Sequence, residues 1–193
     1  MAEMVRADAV FLDRDGTINE EVNYASNPKD LRLVPGAARA IRSLNERGIP
    51  VVVITNQGGI ARGYHTEADV ETFHKALSKE LKKDGAHIDK FYFCPHHPAG
   101  KGEYGIECAC RKPQPELLHR AAHDLGLDLT TCVMIGDKST DIGAAEAVGA
   151  DSVLVMTGHG QGEWEAWKES FKPTHTAKDI AEAVKWILKR REA

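Results

Sequence analysis

Two aspartates, Asp13 and Asp15, directly follow the apolar run Val10–Leu12 and precede a glycine, Gly16. An apolar run of this kind predicts a buried strand, and the glycine permits a sharp turn where the strand ends. Both carboxylates can then project into the crevice above the carboxyl edge of a parallel sheet. Such a pair suits Mg²⁺-dependent phosphoryl transfer. These residues alone leave open the alternative of an ordinary Asp/Gly turn.

Polar groups also follow two later apolar runs, at Thr55–Gln57 and at Asp137. The carboxyl ends of parallel strands share one edge of a sheet, so we expect these groups to meet Asp13 there. Asp137 and Asp141 could complete a cation site with Asp13, because Mg²⁺ prefers oxygen ligands and takes a few carboxylates with waters and phosphate oxygens. Three polar strand ends on one edge indicate an active site more strongly than one acidic turn does.

A transferring phosphoryl group also needs donors and positive charge. Thr55 offers a hydroxyl and neighbouring backbone N–H groups, and Lys112 or Lys138 offers a cation. For Lys138 the alternative is an ordinary solvated lysine, because that residue type is usually exposed.

Three of the four cysteines fall in one segment with two histidines: Cys94-Pro95-His96-His97 is followed by Cys108-Ala109-Cys110. Three thiolates and one imidazole form the tetrahedral ligand set that structural Zn²⁺ prefers. The spacing therefore predicts a zinc loop over residues 94–110, against the alternative of loop cysteines that bind no metal. The ligand types alone do not separate His96 from His97.

Short apolar runs alternate with helical stretches along the chain. The predicted strands are Val10–Leu12, Pro50–Thr55, Phe91–Phe93, Cys132–Ile135 and Ser152–Met156. The predicted helices are Ala37–Arg47, Glu67–Lys83, Pro115–Leu125, Asp141–Val148 and Lys178–Arg190. This alternation is typical of α/β proteins, and strands that are apolar on both sides belong to a parallel sheet with helices on both faces. The sequence therefore predicts a doubly wound, Rossmann-like sheet.

Length and composition restrict the function further. The chain has 193 residues, 42% of them hydrophobic and 28% charged, with a formal net charge of −4. We expect one domain over residues 1–193, and a small-molecule substrate rather than nucleic acid or an anionic membrane as partner. No apolar run approaches the roughly 18 residues of a membrane span, and residues 1–8 lack the pattern of a signal peptide. A cytoplasmic monomer is the expectation.

Taken together, the motifs D-R-D-G-T, T-N-Q, R-K-P and G-D-K-x-x-D resemble those of the haloacid dehalogenase (HAD) superfamily of phosphohydrolases over most of the chain. Within its histidinol-phosphatase-like subfamily, the segments Phe11–Asn19, Thr55–Gly63 and Cys94–Pro113 are similar to those of the heptose bisphosphate phosphatases. The resemblance implies a HAD fold. Many relatives in the superfamily carry a cap domain after the first motif or between the second and third, and neither gap is long enough here for a large cap. The resemblance therefore implies a capless form with an inserted zinc loop and a rather open site.

The resemblance also implies roles for individual residues. Asp13 would be the nucleophile that forms an aspartyl-phosphate, and Asp15 would act as general acid and then as general base. Mg²⁺ would be held by Asp13, the backbone carbonyl of Asp15 and Asp137, with Thr55 and Lys112 at the phosphoryl oxygens. The complete set of predicted substrate and phosphate contacts is Thr55, Asn56, Gln57, Arg111, Lys112, Lys138, Glu21 and Tyr24.

The zinc loop has a matching set of ligands in the same family. The resemblance assigns Cys94, His96, Cys108 and Cys110 as ligands of a structural Zn²⁺. The loop would then present Arg111 and Lys112, which follow the last ligand, to the substrate. In the family's T-N-Q-S-G-I-A-R-G run, the serine is replaced here by Gly58, and a hydroxyl near the phosphate is lost.

These features favour a phosphatase that removes the 7-phosphate of a heptose 1,7-bisphosphate. Three alternatives stay open from the sequence. Histidinol-phosphate phosphatases share the zinc loop and the C-x-C-R-K-P run, and another small sugar phosphate could be the substrate. A zinc-stabilised phosphate-binding module without turnover is the third reading, although such a module would not need Asp13, Asp15 and Asp137 together.

Overall fold

The computed structural model describes residues 8–167 and 172–192. Its centre is a six-stranded sheet in the order β3-β2-β1-β4-β5-β6, in which every pairing is parallel. The strands are β1 (Val10–Leu12), β2 (Val51–Asn56), β3 (Lys90–Cys94), β4 (Val133–Gly136), β5 (Asp151–Val155) and β6 (His175–Ala177). The order reverses at β1, which places the crevice beside Asp13.

Helices connect the strands and cover both faces of the sheet. They are α1 (Ala37–Asn45), α2 (Glu67–Lys82), α3 (Glu116–Leu125), α4 (Ser139–Glu146), α5 (Gly160–Trp167) and α6 (Ile180–Glu192). One hydrophobic core lies between the sheet and helices α1, α2 and α6, and a second lies between the sheet and helices α3 and α4. The predicted doubly wound α/β fold is therefore confirmed.

The central strand β1 shows why this sequence forms a parallel sheet. Val10 and Leu12 face the first core and Phe11 faces the second, and all three side chains are fully buried. Phe11 pairs in register with Val52 on one side and with Met134 on the other. A strand buried on both faces and both edges accepts only apolar side chains, so the polar residues begin where β1 ends.

Every predicted strand and helix is present, with ends displaced by at most two residues. Helix α2 begins at the predicted capping box, in which the Thr66 hydroxyl accepts a hydrogen bond from the Asp69 N–H and the Asp69 carboxylate accepts one from the Thr66 N–H. Two elements, β6 and α5, were not predicted. Strand β6 has three residues and only one is buried, and α5 opens on two glycines within three residues.

Two long connections reach the carboxyl edge of the sheet. The connection from β1 to α1 holds a single 3₁₀ turn at Pro28–Asp30, and the one from β3 to α3 holds a 3₁₀ turn at Gly102–Tyr104. Neither contains a cap domain, as the sequence predicted. Within residues 8–167 and 172–192, the helices are all too short or too polar to cross a membrane.

Candidate active site

A cavity of about 280 Å³ lies at the carboxyl edge of β1, β2 and β4. Its lining contains both predicted catalytic aspartates and every predicted substrate contact: Asp13, Asp15, Glu21, Tyr24, Thr55, Asn56, Gln57, Arg111, Lys112 and Lys138. The structure adds Asn23, Gly58, His97, Thr140, Asp141 and His159 to this lining. The topology thus gathers residues from distant parts of the chain around Asp13.

Lys112 is a buried ammonium group between two carboxylates. Its Nζ lies 2.7 Å from Asp13 Oδ1 and 2.6 Å from Asp141 Oδ1, and it donates a 2.6 Å hydrogen bond to the Ile54 carbonyl. Burial alone would lower the pKa of Lys112, but the two carboxylates outweigh burial and raise it. Lys112 therefore stays charged beside Asp13, where it can neutralise incoming phosphate oxygens.

The Asn56 side chain fixes the backbone of Lys112. Asn56 Oδ1 accepts a 3.0 Å hydrogen bond from the Lys112 N–H, and its Nδ2 donates a 3.1 Å bond to the Lys112 carbonyl. This pairing joins the end of β2 to the segment after the zinc loop. Both hydrogen-bonding ends of the Asn56 amide are therefore engaged with Lys112.

Asp137 is a fully buried carboxylate beside Asp13. Its Oδ2 accepts a 2.8 Å hydrogen bond from the His159 N–H, while its Oδ1 accepts no hydrogen bond and lies 4.0 Å from Lys138 Nζ. Burial, and then the charge of Asp13, raise the pKa of Asp137 to about 8. Gly16 and Gly158 pack so closely on this carboxylate that a Cβ at either position would overlap it.

This cluster fits a divalent cation. Oxygens of Asp13, Asp137 and Asp141 lie within 4.8 Å of one another and all three side chains are buried. Such carboxylates repel one another in a dry interior unless a cation compensates them. Asp137 Oδ1, which accepts no hydrogen bond, and the all-oxygen donor set match the preference of Mg²⁺.

Asp15 is held as an ionised carboxylate. The Arg14 guanidinium contacts both of its oxygens at 2.8 to 3.2 Å. The side-chain amides of Asn19 and Gln57 each donate a 3.0 Å bond to it. Burial would raise the pKa of Asp15, but the charge and hydrogen bonds of Arg14 outweigh burial and lower it. Gln57 Nε2 also donates a 2.9 Å bond to Thr55 Oγ1. Gln57 therefore links Asp15, the predicted acid and base, to Thr55, a predicted phosphoryl contact.

The predicted zinc ligands form one compact group. The Sγ atoms of Cys94, Cys108 and Cys110 lie 3.1 to 3.5 Å apart, and His96 Nδ1 is 3.3 Å from Cys110 Sγ and 3.8 Å from Cys94 Sγ. Three sulfurs and one nitrogen at these separations match the donor set of a closed tetrahedral zinc site. The structure thus brings together the four residues assigned by the family resemblance.

His97 points away from this group. Its Nε2 lies 3.2 Å from Arg62 Nη2, and its Nδ1 accepts a 3.0 Å bond from the Ala99 N–H. Arg111, which lines the same cavity as His97, donates from Nη1 to the His96 carbonyl at 3.1 Å. A Cβ at Gly58 would stand 3.2 Å from that same Nη1, so the glycine leaves room for Arg111.

The mouth of the cavity is made by the loop after β1. Glu21 Oε2 lies 3.3 Å from Lys138 Nζ and 3.4 Å from His159 Nε2. Tyr24 adopts a positive φ of 62° and packs on Tyr64 with the ring centroids 4.7 Å apart. Sequence reasoning identified no partner for His159 and gave no role to Tyr64, because only the tertiary fold brings them beside Glu21 and Tyr24.

Sequence relatives identify the family. A model described as haloacid dehalogenase-like hydrolase matches residues 10–87, and one described as HAD-hydrolase-like matches residues 109–183. The D-glycero-D-manno-heptose-1,7-bisphosphate 7-phosphatase of Thermosynechococcus vestitus is 41% identical over 93% of this chain and 94% of its own length. The D-glycero-beta-D-manno-heptose-1,7-bisphosphate 7-phosphatase of Escherichia coli K12 is 42% identical over 78% of this chain and 80% of its own length.

Solved structures agree. The D,D-heptose 1,7-bisphosphate phosphatase of B. bronchiseptica, complexed with magnesium and phosphate, superposes with a TM-score of 0.86 at 30% identity and covers 96% of this chain and 99% of its own. A HAD-like phosphatase of Mesorhizobium loti superposes with a TM-score of 0.82 at 34% identity, over 96% of this chain and 86% of its own. This chain therefore belongs to the heptose 1,7-bisphosphate 7-phosphatase family of HAD-type phosphoric monoester hydrolases.

Proposed function

We propose that this protein is a Mg²⁺-dependent phosphatase that removes the 7-phosphate of D-glycero-D-manno-heptose 1,7-bisphosphate on the route to nucleotide-activated heptose. The observation that carries the proposal is the buried contact between Asp13 and Lys112, beside an oxygen of Asp137 that accepts no hydrogen bond. This arrangement supplies a nucleophile, a fixed cation and a metal ligand at one point. A binding module would have no use for a nucleophile and an acid beside a metal.

In the first step an Asp13 oxygen attacks phosphorus, a P–O bond forms, and the bond to the sugar oxygen breaks. Asp15 is ionised in the free protein; in the substrate complex the nearby phosphate charge would favour its protonated form, and it would give the proton it takes up to the departing alkoxide. In the second step Asp15 takes a proton from water, which attacks the aspartyl-phosphate and releases inorganic phosphate and free Asp13. Both residues line the same cavity, as this sequence of steps requires.

The remaining residues of the site stabilise the transferring group. Lys112, and the Thr55 hydroxyl beside it, would contact the phosphoryl oxygens, and Lys138 adds positive charge at the mouth of the cavity. Asp13, the backbone carbonyl of Asp15 and Asp137 would hold Mg²⁺. The bound ion would lower the repulsion between an anionic nucleophile and an anionic phosphate.

Zinc would have a structural role in this enzyme. Cys94, His96, Cys108 and Cys110 would supply all four ligands of a tetrahedral zinc ion, which would leave no position for water. The site would fix the segment that ends in Arg111 and Lys112. A structural metal here supports substrate recognition without taking part in the chemistry.

We assign the second phosphate and the sugar to the loops. Arg111 presents a forked donor suited to phosphate oxygens, whereas Lys112 presents a point charge at the reaction centre. Glu21 and Tyr24 line the same cavity, and we place the sugar hydroxyls beside them. The substrate is thus a small sugar phosphate. We further propose a cytoplasmic monomer that binds neither nucleic acid nor membrane, in keeping with its net charge of −4; sedimentation equilibrium tests the monomeric state.

A kinetic comparison tests the function. Both anomers of heptose 1,7-bisphosphate, histidinol phosphate and fructose 1,6-bisphosphate are assayed for phosphate release with Mg²⁺ and with a chelator. We expect one of the heptose anomers to have the highest kcat/KM and activity to disappear without Mg²⁺. A higher kcat/KM with histidinol phosphate would overturn the substrate assignment, and absence of turnover with every substrate would favour a binding module.

A further inference from the structure

Arg14 is a buried cation that the steps above do not use. Its side chain is entirely buried, it lies between the two motif aspartates in sequence, and it does not line the cavity. A guanidinium group is placed in a protein interior at a high desolvation cost unless it is paired and hydrogen-bonded. Its position behind Asp15 therefore calls for a function.

Several groups besides Asp15 contact the Arg14 side chain. Its Nη2 donates to the Ala25 carbonyl at 2.7 Å and to Gln57 Oε1 at 3.3 Å. The guanidinium carbon lies 4.4 Å from the centre of the Phe73 ring, and Phe73 is itself fully buried on α2. Stacking and the hydrogen bonds of Nη2 restrict the orientation of the guanidinium, while the buried Nη1 donates no hydrogen bond.

The Arg14 guanidinium in turn holds the Asp15 carboxylate in place. Nε and Nη2 of Arg14 reach both carboxylate oxygens, and the amides of Asn19 and Gln57 approach one oxygen each. We name Arg14, Asn19 and Gln57 the Asp15 frame. With every contact made to the two oxygens, rotation of the carboxylate about its Cβ–Cγ bond would break several charge-assisted hydrogen bonds.

Two neighbouring histidines do not compete for this ion pair. His65 and His74 are buried, and burial followed by the charge of Arg14 lowers the pKa of both imidazoles, that of His74 to about 3. Both are therefore neutral near pH 7 and leave the Arg14–Asp15 pair undisturbed.

We propose that Arg14 is a positioning residue for the proton-transferring Asp15: it holds the carboxylate toward the leaving oxygen from behind the cavity wall. This inference rests on the proposed function, since it assigns Asp15 the proton transfer. It predicts that loss of the Arg14 fork slows only those reactions in which the leaving group needs a proton.

The test compares two substrates in the variant Arg14→Lys, which keeps the charge and removes the fork. The leaving group of heptose 1,7-bisphosphate is a sugar alkoxide that needs a proton. The leaving group of p-nitrophenyl phosphate is a phenolate that is stable without one. The value of kcat/KM is set by the steps up to phosphorylation of Asp13, so hydrolysis of the intermediate does not enter. We expect kcat/KM to fall about 10²-fold with the heptose substrate. With p-nitrophenyl phosphate the fall in kcat/KM should be no more than about 10-fold.

Three further variants make the result decisive. Arg190 is a matched control, because it stacks on Trp186 at 4.5 Å and pairs with Asp151 at 2.9 Å, at the opposite end of the sheet. Arg190→Lys should leave the ratio of the two substrates unchanged. Because Arg14 acts through Asp15, adding Arg14→Lys to Asp15→Asn should cause no further loss. Asn19→Ala removes another donor to Asp15 and gives the same selectivity if Arg14→Lys does not fold.

The outcomes separate this inference from the proposed function. Equal losses on both substrates in Arg14→Lys and Asn19→Ala, with Asp15→Asn remaining selective, would show a structural role for the frame and overturn the inference alone. Equal losses in Asp15→Asn itself would overturn the acid role of Asp15 and the inference with it.

Discussion

The phosphoryl-transfer centre and the two loops that line the rest of the cavity hold their residues differently. At the centre, Asp13, Lys112 and Asp137 follow or contact strand ends, and each is at most 5% exposed. In the loops, Arg111 follows the zinc ligands and Tyr24 lies in the connection after β1, where it is 43% exposed. Buried strand ends fix atoms precisely enough for bond making, whereas loops can vary in sequence without disturbing the sheet. We therefore assign the chemistry to groups held at the buried strand ends, and substrate choice to side chains on the loops.

The centre should fail completely when its nucleophile is removed. Asp13→Asn keeps the shape of the side chain, but its amide cannot form an acyl phosphate, so kcat should fall by more than about 10³-fold with every substrate. Circular dichroism should show a retained fold. A variant that kept a tenth of the wild-type kcat, in a preparation free of deamidation, would contradict the assignment.

Lys112→Met should damage the centre in both activity and stability. It leaves the buried carboxylates of Asp13 and Asp141 without their cation, which costs about 3 to 5 kcal/mol when one partner of a buried pair is removed. We expect kcat/KM to fall at least about 100-fold, to a similar degree for bisphosphates and monophosphates. Urea denaturation and assays with both substrate types measure the two effects. A loss confined to bisphosphates would move Lys112 to the recognition side of the comparison.

Arg111→Ala should separate substrate recognition from phosphoryl transfer most clearly. Loss of a charged hydrogen bond to the second phosphate should lower kcat/KM for heptose 1,7-bisphosphate by about 10- to 100-fold. The value for a small monophosphate should change little, because Lys112 is retained. Equal losses with both substrates would remove the recognition role from Arg111 and leave substrate choice to the loop around Tyr24.

Cys108→Ser should have the smallest effect. It removes one ligand of the zinc group, so elemental analysis should find less zinc, and KM should rise by less than about 10-fold with a smaller change in kcat. Cys132→Ser is the matched control, because Cys132 is a buried thiol in the second core, outside the ligand group. Full zinc occupancy in Cys108→Ser would show that this cysteine is not a ligand.

The sequence predicts the buried strand ends well and the exposed or half-buried segments poorly. Apolar runs such as Val51–Ile54 predict central strands because burial on both faces leaves little choice of residue. The aspartates at the ends of those strands follow directly from that placement. Strand β6 was missed since the half-buried segment His175–Ala177 gives no hydrophobic pattern, and its pairing with β5 is a tertiary event.

Side-chain partners were the other gap. Nothing local in the sequence tells that Arg14 turns inward to stack on Phe73, or that His159 reaches Glu21. These contacts join residues far apart in the chain, so they depend on the finished packing rather than on spacing. The zinc ligands were easier, because their residue types are chemically distinctive and both pairs lie in one loop.

The central claim is that the phosphoryl group passes through Asp13, and trapping the intermediate tests it most directly. Enzyme mixed with Mg²⁺ and substrate radiolabelled at the 7-phosphate is quenched in acid within the first turnover. An acyl phosphate survives acid, and borohydride reduces it to a homoserine that mass spectrometry locates. We predict label bound to the protein, with the reduced residue at position 13 and none in Asp13→Asn. Label on another residue, or product release without labelled protein in the first turnover, would contradict the account.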